Sequence, residues 1–445
     1  MRKPLLALIV ALSASPASAQ LLGGGGLGVG GLPSGLGGLG AVTPIGPALS
    51  NVAPQSARII ANPLDLPPTV GDMVDSSSGS LLDQRQARLR EIIRRNERTL
   101  EAGPGGAPVR RSEVLAAGLS AAELNAAKAA GFVVIREQAI EGADLDVVVL
   151  SPPKGQTLKT AVAVMRALAP DAGVDFNTVY EPAGGPLQAE GLARAASPLP
   201  AVSPGVVIGV IDGGVAAHPA LANARIEQRG FAGGVNGTGH GTAVASLLVG
   251  AAPGFAGAAQ GADLLVADVY GGSVANGSAE AVARAIGWLV SRHARVINIS
   301  LVGPPNVILK AAVDSARAHG VVVVAAVGND GPAAPPQYPA SYAGVVAVTG
   351  VDGHDRALFE AGRASHVDFA APGADMAAAI PGGGFTTVRG TSFAAPLVAA
   401  RLAAYPKDAM IGVGAEARPG HGAVGYGVVC EACRNDPRHL AKKGR

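Results

Sequence analysis

The chain is poor in cysteine, aromatic side chains and charge for its length. Two cysteines among 445 residues exclude a scaffold held by many disulfides. They also leave no second CxxC pair to complete a four-ligand structural zinc site. Phe, Trp and Tyr make up 3% of the chain, too few for base-stacking platforms. Charged residues are 15% and the net charge is +2, so nothing indicates nucleic acid or an acidic partner. No membrane span is expected: residues 5–12 are too short to cross a bilayer, and VVVVAAV at 321–327 is short, β-branched and strand-like.

What is present is glycine, alanine and enough apolar residues, 48%, for two or three domains with a proper core. Arg2 and Lys3, the apolar run and Ala17-Ser18-Ala19 make residues 1–19 a secretory signal peptide. The mature protein is expected to be exported, either secreted or periplasmic. No cysteine follows the cleavage site, so no lipid anchor is expected. Residues 20–80 read as a flexible Gly/Pro-rich segment, since 21–40 has glycine at 11 of 20 positions.

Residues 81–107 read as a basic amphipathic helix and linker. Leu82, Leu89, Ile92, Ile93 and Leu100 fall at helical spacing, and the arginines are expected on the solvated face. Residues 108–182 switch period repeatedly in the order βαββαβ, with Ser120 and Glu123 as a helix-opening capping box. That order in so short a span predicts a small ferredoxin-like α+β domain. The Pro-, Gly- and Ala-rich stretch from Glu181 to Pro204 reads as an exposed linker, with the domain boundary at 183.

From Gly205 the pattern becomes apolar strands such as VVIGVI, DLLVADV, RVINIS and VVAVTG, separated by helices. This predicts an α/β domain over 205–429, a parallel sheet covered by helices on both faces. Functional residues are then expected just past the carboxyl ends of strands. Residues 430–445 form a basic tail carrying CEAC, which could be redox-active, half a zinc site or a small disulfide; an exported protein favours the disulfide.

Three weak signals combine in the α/β domain. Asp212 directly follows VVIGVI, His240 lies in NGTGHGTAVAS, and Ser392 lies in GTSFAAPLVAA at the start of an alanine-rich helix. Alone, each has a plain reading: a turn, a structural histidine, a helix cap. In the order Asp, His, Ser they supply what a serine nucleophile needs, an imidazole to take its proton and a carboxylate to orient the imidazole. The α/β-hydrolase order and its G-x-S-x-G serine are both missing.

These stretches, with VINISL, VVAAVGNDG, YPASYAGVVAVTGVD and VDFAAPG, resemble the motifs of the subtilisin-like serine proteases, the subtilases. The resemblance implies a subtilisin-like fold and Ser392 as nucleophile, His240 as general base and Asp212 as its orienting carboxylate. It implies Asn329 as the side-chain oxyanion donor, beside the Ser392 backbone N–H. It implies a cleft that binds polypeptide as an added strand through Ser300, Leu301, Gly303, Ala326 and Gly328. His218 matches a structural position. No metal or cofactor is expected. Asp330, beside Asn329, suggests basic or polar side chains in the primary specificity pocket.

One departure is Gly213, where the family usually carries Ser or Thr. Residues 108–182 resemble the family's inhibitory propeptide in place and element order. The expected product is therefore a self-processing zymogen whose propeptide is its own intramolecular inhibitor, cut between Glu181 and Pro204. The alternative is a catalytically weak relative that binds peptides. A glycine-rich structural protein would account only for the residues before about Ser50.

Overall fold

The computed structural model describes residues 78–186 and 201–440. The expected signal peptide, almost all of the Gly/Pro-rich segment, residues 187–200 of the linker and the last five residues lie outside them. Among the described residues no helix is long and apolar enough to cross a membrane.

The first part runs α1 (Ser78–Arg95), β1 (Leu100–Ala102), β2 (Pro108–Ala117), α2 (Ala121–Ala129), β3 (Val133–Ala139), β4 (Asp146–Ser151), α3 (Leu158–Leu168) and β5 (Gly173–Thr178). The strands form an antiparallel sheet in the order β1-β2-β4-β3, with β5 also pairing β2. From β2 onward the order is the βαββαβ read from the sequence. Ser120 accepts a hydrogen bond from the Glu123 N–H and Glu123 accepts one from the Ser120 N–H, closing the capping box on α2.

Strand alternation divides this sheet between two cores. Val114, Ala116, Val148 and Leu150 pack on α2 and α3. Leu115, Ala117, Val147 and Val149 face the other way and join the core of the α/β domain.

Two expectations about this part are corrected. Helix α1 ends at Arg95, with Leu100 already in β1, and its buried stripe is Leu81, Arg85, Leu89 and Ile92. Leu82 and Ile93 are only partly covered. Arg85 lies on the packed face, where its Nε stands 3.0 Å from the buried Asp330 carboxylate, so the arginines are not all solvated. The stretch after β5 is also not an exposed linker where it begins. Its short strands β6 (Glu181–Pro182) and β7 (Gly185–Pro186) enter a cleft, and Glu181, Pro182 and Ala183 are buried.

The α/β domain is built on seven parallel strands. In chain order these are β8 (Val207–Asp212), β9 (Arg225–Gly230), β10 (Asp263–Asp268), β11 (Val296–Ile299), then β13 (Val322–Ala326), β14 (Val346–Val351) and β15 (Phe369–Pro372). A two-residue strand, β12 (Leu301–Val302), follows β11 outside the sheet, and an antiparallel pair, β16 (Met376–Ala379) and β17 (Phe385–Arg389), follows β15. The sheet order is β9-β10-β8-β11-β13-β14-β15. Helices α5 (Ala279–Ser291) and α6 (Val307–Ala318) cover one face; α4 (Gly239–Val249) and α7 (Thr391–Ala404) cover the other. The continuous apolar strands follow from this: Ile211, Ile297 and Val323 serve the first core, while Val210, Val296 and Val324 serve the second.

Cys430 and Cys433 form a disulfide. The described part of the basic tail packs on the domain: Asn435 and Asp436 are buried, and Arg434 donates to the Asp352 carbonyl at 2.8 Å.

Candidate active site

Asp212 closes β8 at the carboxyl edge of the sheet, where the connections turn to opposite sides. It is 1% exposed, and its Oδ1 accepts the Gly213 N–H at 2.7 Å. Its Oδ2 lies 2.7 Å from His240 Nδ1, near the start of α4. With Nδ1–H donating to the carboxylate, Nε2 of a neutral imidazole is left as an acceptor. That nitrogen is 2.9 Å from Ser392 Oγ. The sheet edge and the N-termini of α4 and α7 thus bring three residues far apart in sequence into one hydrogen-bonded line.

Ser392 sits in the first turn of α7, whose cap residue is Gly390 with φ of 140° and no capping side chain. A Cβ at 390 would lie 3.0 Å from Asn329 Nδ2 and 3.0 Å from the Gly184 Cα. Glycine is needed there both for the backbone and for the approach of the tail. Neither Thr391 nor Ser392 caps the helix. The Thr391 hydroxyl instead accepts the Gly328 N–H at 3.1 Å, and the Thr391 N–H donates to Asn329 Oδ1 at 3.0 Å. Asn329 is thereby turned so that its Nδ2 faces the cleft.

What faces Asn329 is the tail. The Ala183 carbonyl accepts from Asn329 Nδ2 at 2.6 Å and from the Ser392 N–H at 3.1 Å. The Ala183 N–H donates to the Ser300 carbonyl at 3.1 Å, and Glu181–Pro182 pair antiparallel with Leu301–Val302. On the other side the Tyr180 N–H donates to the Gly277 carbonyl at 2.7 Å. Beyond Ala183, Gly185 and Pro186 pair with Arg389 and Val388 of β17. A Cβ on Gly184 would fall 2.3 Å from Ser392 Oγ, so only glycine fits at that point of the tail.

The expected cleft residues divide. Ser300 and Leu301 pair with the tail, and the Tyr180 ring lies over Gly303, where a Cβ would meet it at 2.6 Å. Gly328 buttresses Thr391, while Ala326 pairs with Val348 inside the sheet rather than with the tail. His218 is structural in its contacts: Nδ1 accepts the Ala220 N–H and Nε2 faces the Gly384 carbonyl.

The missing hydroxyl at Gly213 has a local counterpart. A Cβ there would lie 2.5 Å from Thr238 Oγ1 and 2.6 Å from Thr238 Cγ2. Thr238 caps α4 by accepting the Gly241 N–H, so it fills the space beside Asp212 and anchors the helix of His240. Sequence reading missed Thr238, whose signal was its position two residues before the histidine. It also missed the Asn298–Ser300 pair, in which Asn298 Nδ2 donates to Ser300 Oγ and Ser300 Oγ donates to the Ser392 carbonyl at 3.0 Å.

Residues 203–409 match the subtilase family. Subtilisin Savinase of Lederbergia lenta is 37% identical over 210 residues, which cover 45% of this chain and 75% of that protein. An alkaline protease of Alkalihalobacillus alcalophilus is 37% identical over 210 residues, covering 45% of this chain and 53% of that one. The chain thus spans about half the length of this second relative. Among solved structures, fervidolysin from Fervidobacterium pennivorans, a keratinolytic enzyme related to subtilisin, superposes with a TM-score of 0.63 at 22% identity. That match covers 75% of this chain and 62% of fervidolysin and shows the shared fold. The parallel seven-stranded sheet and the identity to Subtilisin Savinase agree, and the chain belongs to the subtilase family of serine proteases.

Proposed function

We propose that the protein is an exported serine endopeptidase made as a self-processing zymogen, in which the first bond cut is Ala183–Gly184. The observation that carries this reading is the Ala183 carbonyl, which accepts from both Asn329 Nδ2 and the Ser392 N–H. Those are the two donors a tetrahedral oxyanion needs, and they stand ready before any charge develops.

Ser392 Oγ attacks the Ala183 carbonyl carbon while His240 Nε2 takes its proton. Asp212 holds the imidazole in the right tautomer and stabilises its charged form. As the intermediate collapses, His240 gives the proton to the Gly184 nitrogen, and Ala183 is left esterified to Ser392. Water, activated by the same imidazole, then releases the acid. Other polypeptides are expected to bind as the tail does, as a strand added against Leu301–Val302.

On this reading residues 108–183 are the inhibitory propeptide, with α1 as an extension, and the mature enzyme begins at Gly184. Export rests on the basic start, apolar run and small residues of 1–19. A fluorophosphonate probe tests the chemistry. The parent chain should be labelled and shortened, and Ser392→Ala should be neither. A parent that stays full length and unlabelled would favour a peptide-binding module instead.

A further inference from the structure

The cleft contains two carboxylates that this chemistry does not use. Glu181 of the tail and Asp330, next to Asn329, have side chains only 8% and 5% exposed. Arg88 of α1 lies between them. Its Nε and Nη2 donate to Glu181 at 2.8 and 3.0 Å, and Nη2 also donates to Asp330 Oδ1 at 2.7 Å. Arg85 Nε stands 3.0 Å from Asp330 Oδ2, but that oxygen accepts no aligned hydrogen bond. Burial alone would lower the pKa of Arg88, yet Glu181 and Asp330 outweigh it and hold the guanidinium above its ordinary value.

Glu181 therefore has the same sign as the wall it faces, and the two carboxylates tolerate each other through a shared cation. Both arginines belong to α1, on the N-terminal side of Ala183–Gly184. A polypeptide that replaces the tail brings no α1 with it. It meets Asp330 without Arg85 or Arg88, as a carboxylate that has lost both of its cationic neighbours.

We propose that Asp330 selects a cationic side chain at the substrate residue that takes the place of Glu181, the third before the scissile bond. Arg88 is then an adaptor that lets a tail of the opposite charge occupy the cleft until α1 leaves. The inference rests on the reading of Ala183 as the residue before that bond, and it moves the influence of Asp330 from the primary pocket to the third position. One arginine or lysine there does what Glu181 and Arg88 do together. A glutamate there on a polypeptide that brings no α1 is repelled, whereas the propeptide's own Glu181 keeps Arg88 with it even after the cut, because both lie on the N-terminal side of Ala183–Gly184.

The test uses the self-processed enzyme, freed of its N-terminal fragment and counted by fluorophosphonate labelling. Its substrates are the p-nitroanilides Tyr-X-Pro-Ala, copied from the tail with X as Arg, Gln or Glu. The expected order of kcat/KM is Arg over Gln over Glu, with Arg over Glu by about tenfold or more. In Asp330→Asn the ratio between the Arg and Glu peptides should collapse toward one. If this variant fails to accumulate, the order in the parent enzyme decides. Equal rates for the three peptides with a labelled enzyme overturn this inference and leave the proposed chemistry standing. No cleavage and no labelling overturn both.

Discussion

The N-terminal part and the α/β domain meet in two different ways. Away from the cleft, beside the apolar contacts of Leu115 and Ala117, the junction is polar. Arg136 bridges Glu113 at 2.9 Å and Glu280 at 2.7 Å, and Asn177 Oδ1 accepts the Glu280 N–H. Asp175 accepts the Val307 N–H, and Asn306 donates to the Phe176 carbonyl. These groups satisfy the free N–H donors at the starts of α5 and α6. Inside the cleft polar contacts are joined by close approach: Gly184 of the tail lies against Ser392, and within the α/β domain itself Gly390 lies against Asn329 and Gly213 against Thr238. Water can replace a polar contact when the partner departs, but it cannot replace the shape that aligns a nucleophile. The first kind of junction suits a segment that leaves; the second suits a geometry that stays.

That contrast predicts changes in rate from one region and changes in docking from the other. The largest effect is expected from Asn329→Ala, with kcat on a small peptide falling by about 10²–10³-fold, a magnitude measured on subtilisin's own oxyanion amide. Circular dichroism and melting should match the parent; full activity would remove Asn329 from the mechanism. Gly213→Ala should come next, because its Cβ has no room beside Thr238. Overpacking of this kind costs about 1–3 kcal/mol. Thermal melting should fall with the rate, and adding Thr238→Gly should restore most of both, since a glycine cap loses only a few tenths of a kcal/mol. No rescue would mean that Thr238 does not fill that space.

The smallest effect is expected at the polar junction. Arg136→Ala should loosen the N-terminal part by about 1–2 kcal/mol, allowing for the partial exposure of the arginine. Activity should appear earlier during processing, with kcat on a small peptide unchanged. A lowered kcat would show that the junction and the site are not separable.

The sheet was legible because its strands are continuous apolar runs that alternate between two buried faces. The three residues proposed as the triad could be picked out because such a set constrains residue type, chain order and position at strand and helix ends, and the structure brings them within hydrogen-bond distance of one another. The tail was not. Proline, glycine and alanine mark a linker by composition, yet the same small residues fit a strand threaded through a narrow cleft. The pairing of Arg85 and Arg88 with carboxylates was also invisible, because Asp330 is 242 residues from Arg88 and Glu181 is 93. Local pattern reads isolated arginines as solvated unless a partner is known. In α1 the apolar stripe was read from Leu82, and packing chose Leu81, because Leu81 lies against Gly331 on the cleft rim.

The central claim is that Ala183–Gly184 is the first bond this enzyme cuts. Mass spectrometry of the earliest processed product measures this directly. The account predicts a C-terminal product whose first residue is Gly184, absent from Ser392→Ala. A first cut on the far side of Pro186, or the same product from the Ser392→Ala chain, would contradict it.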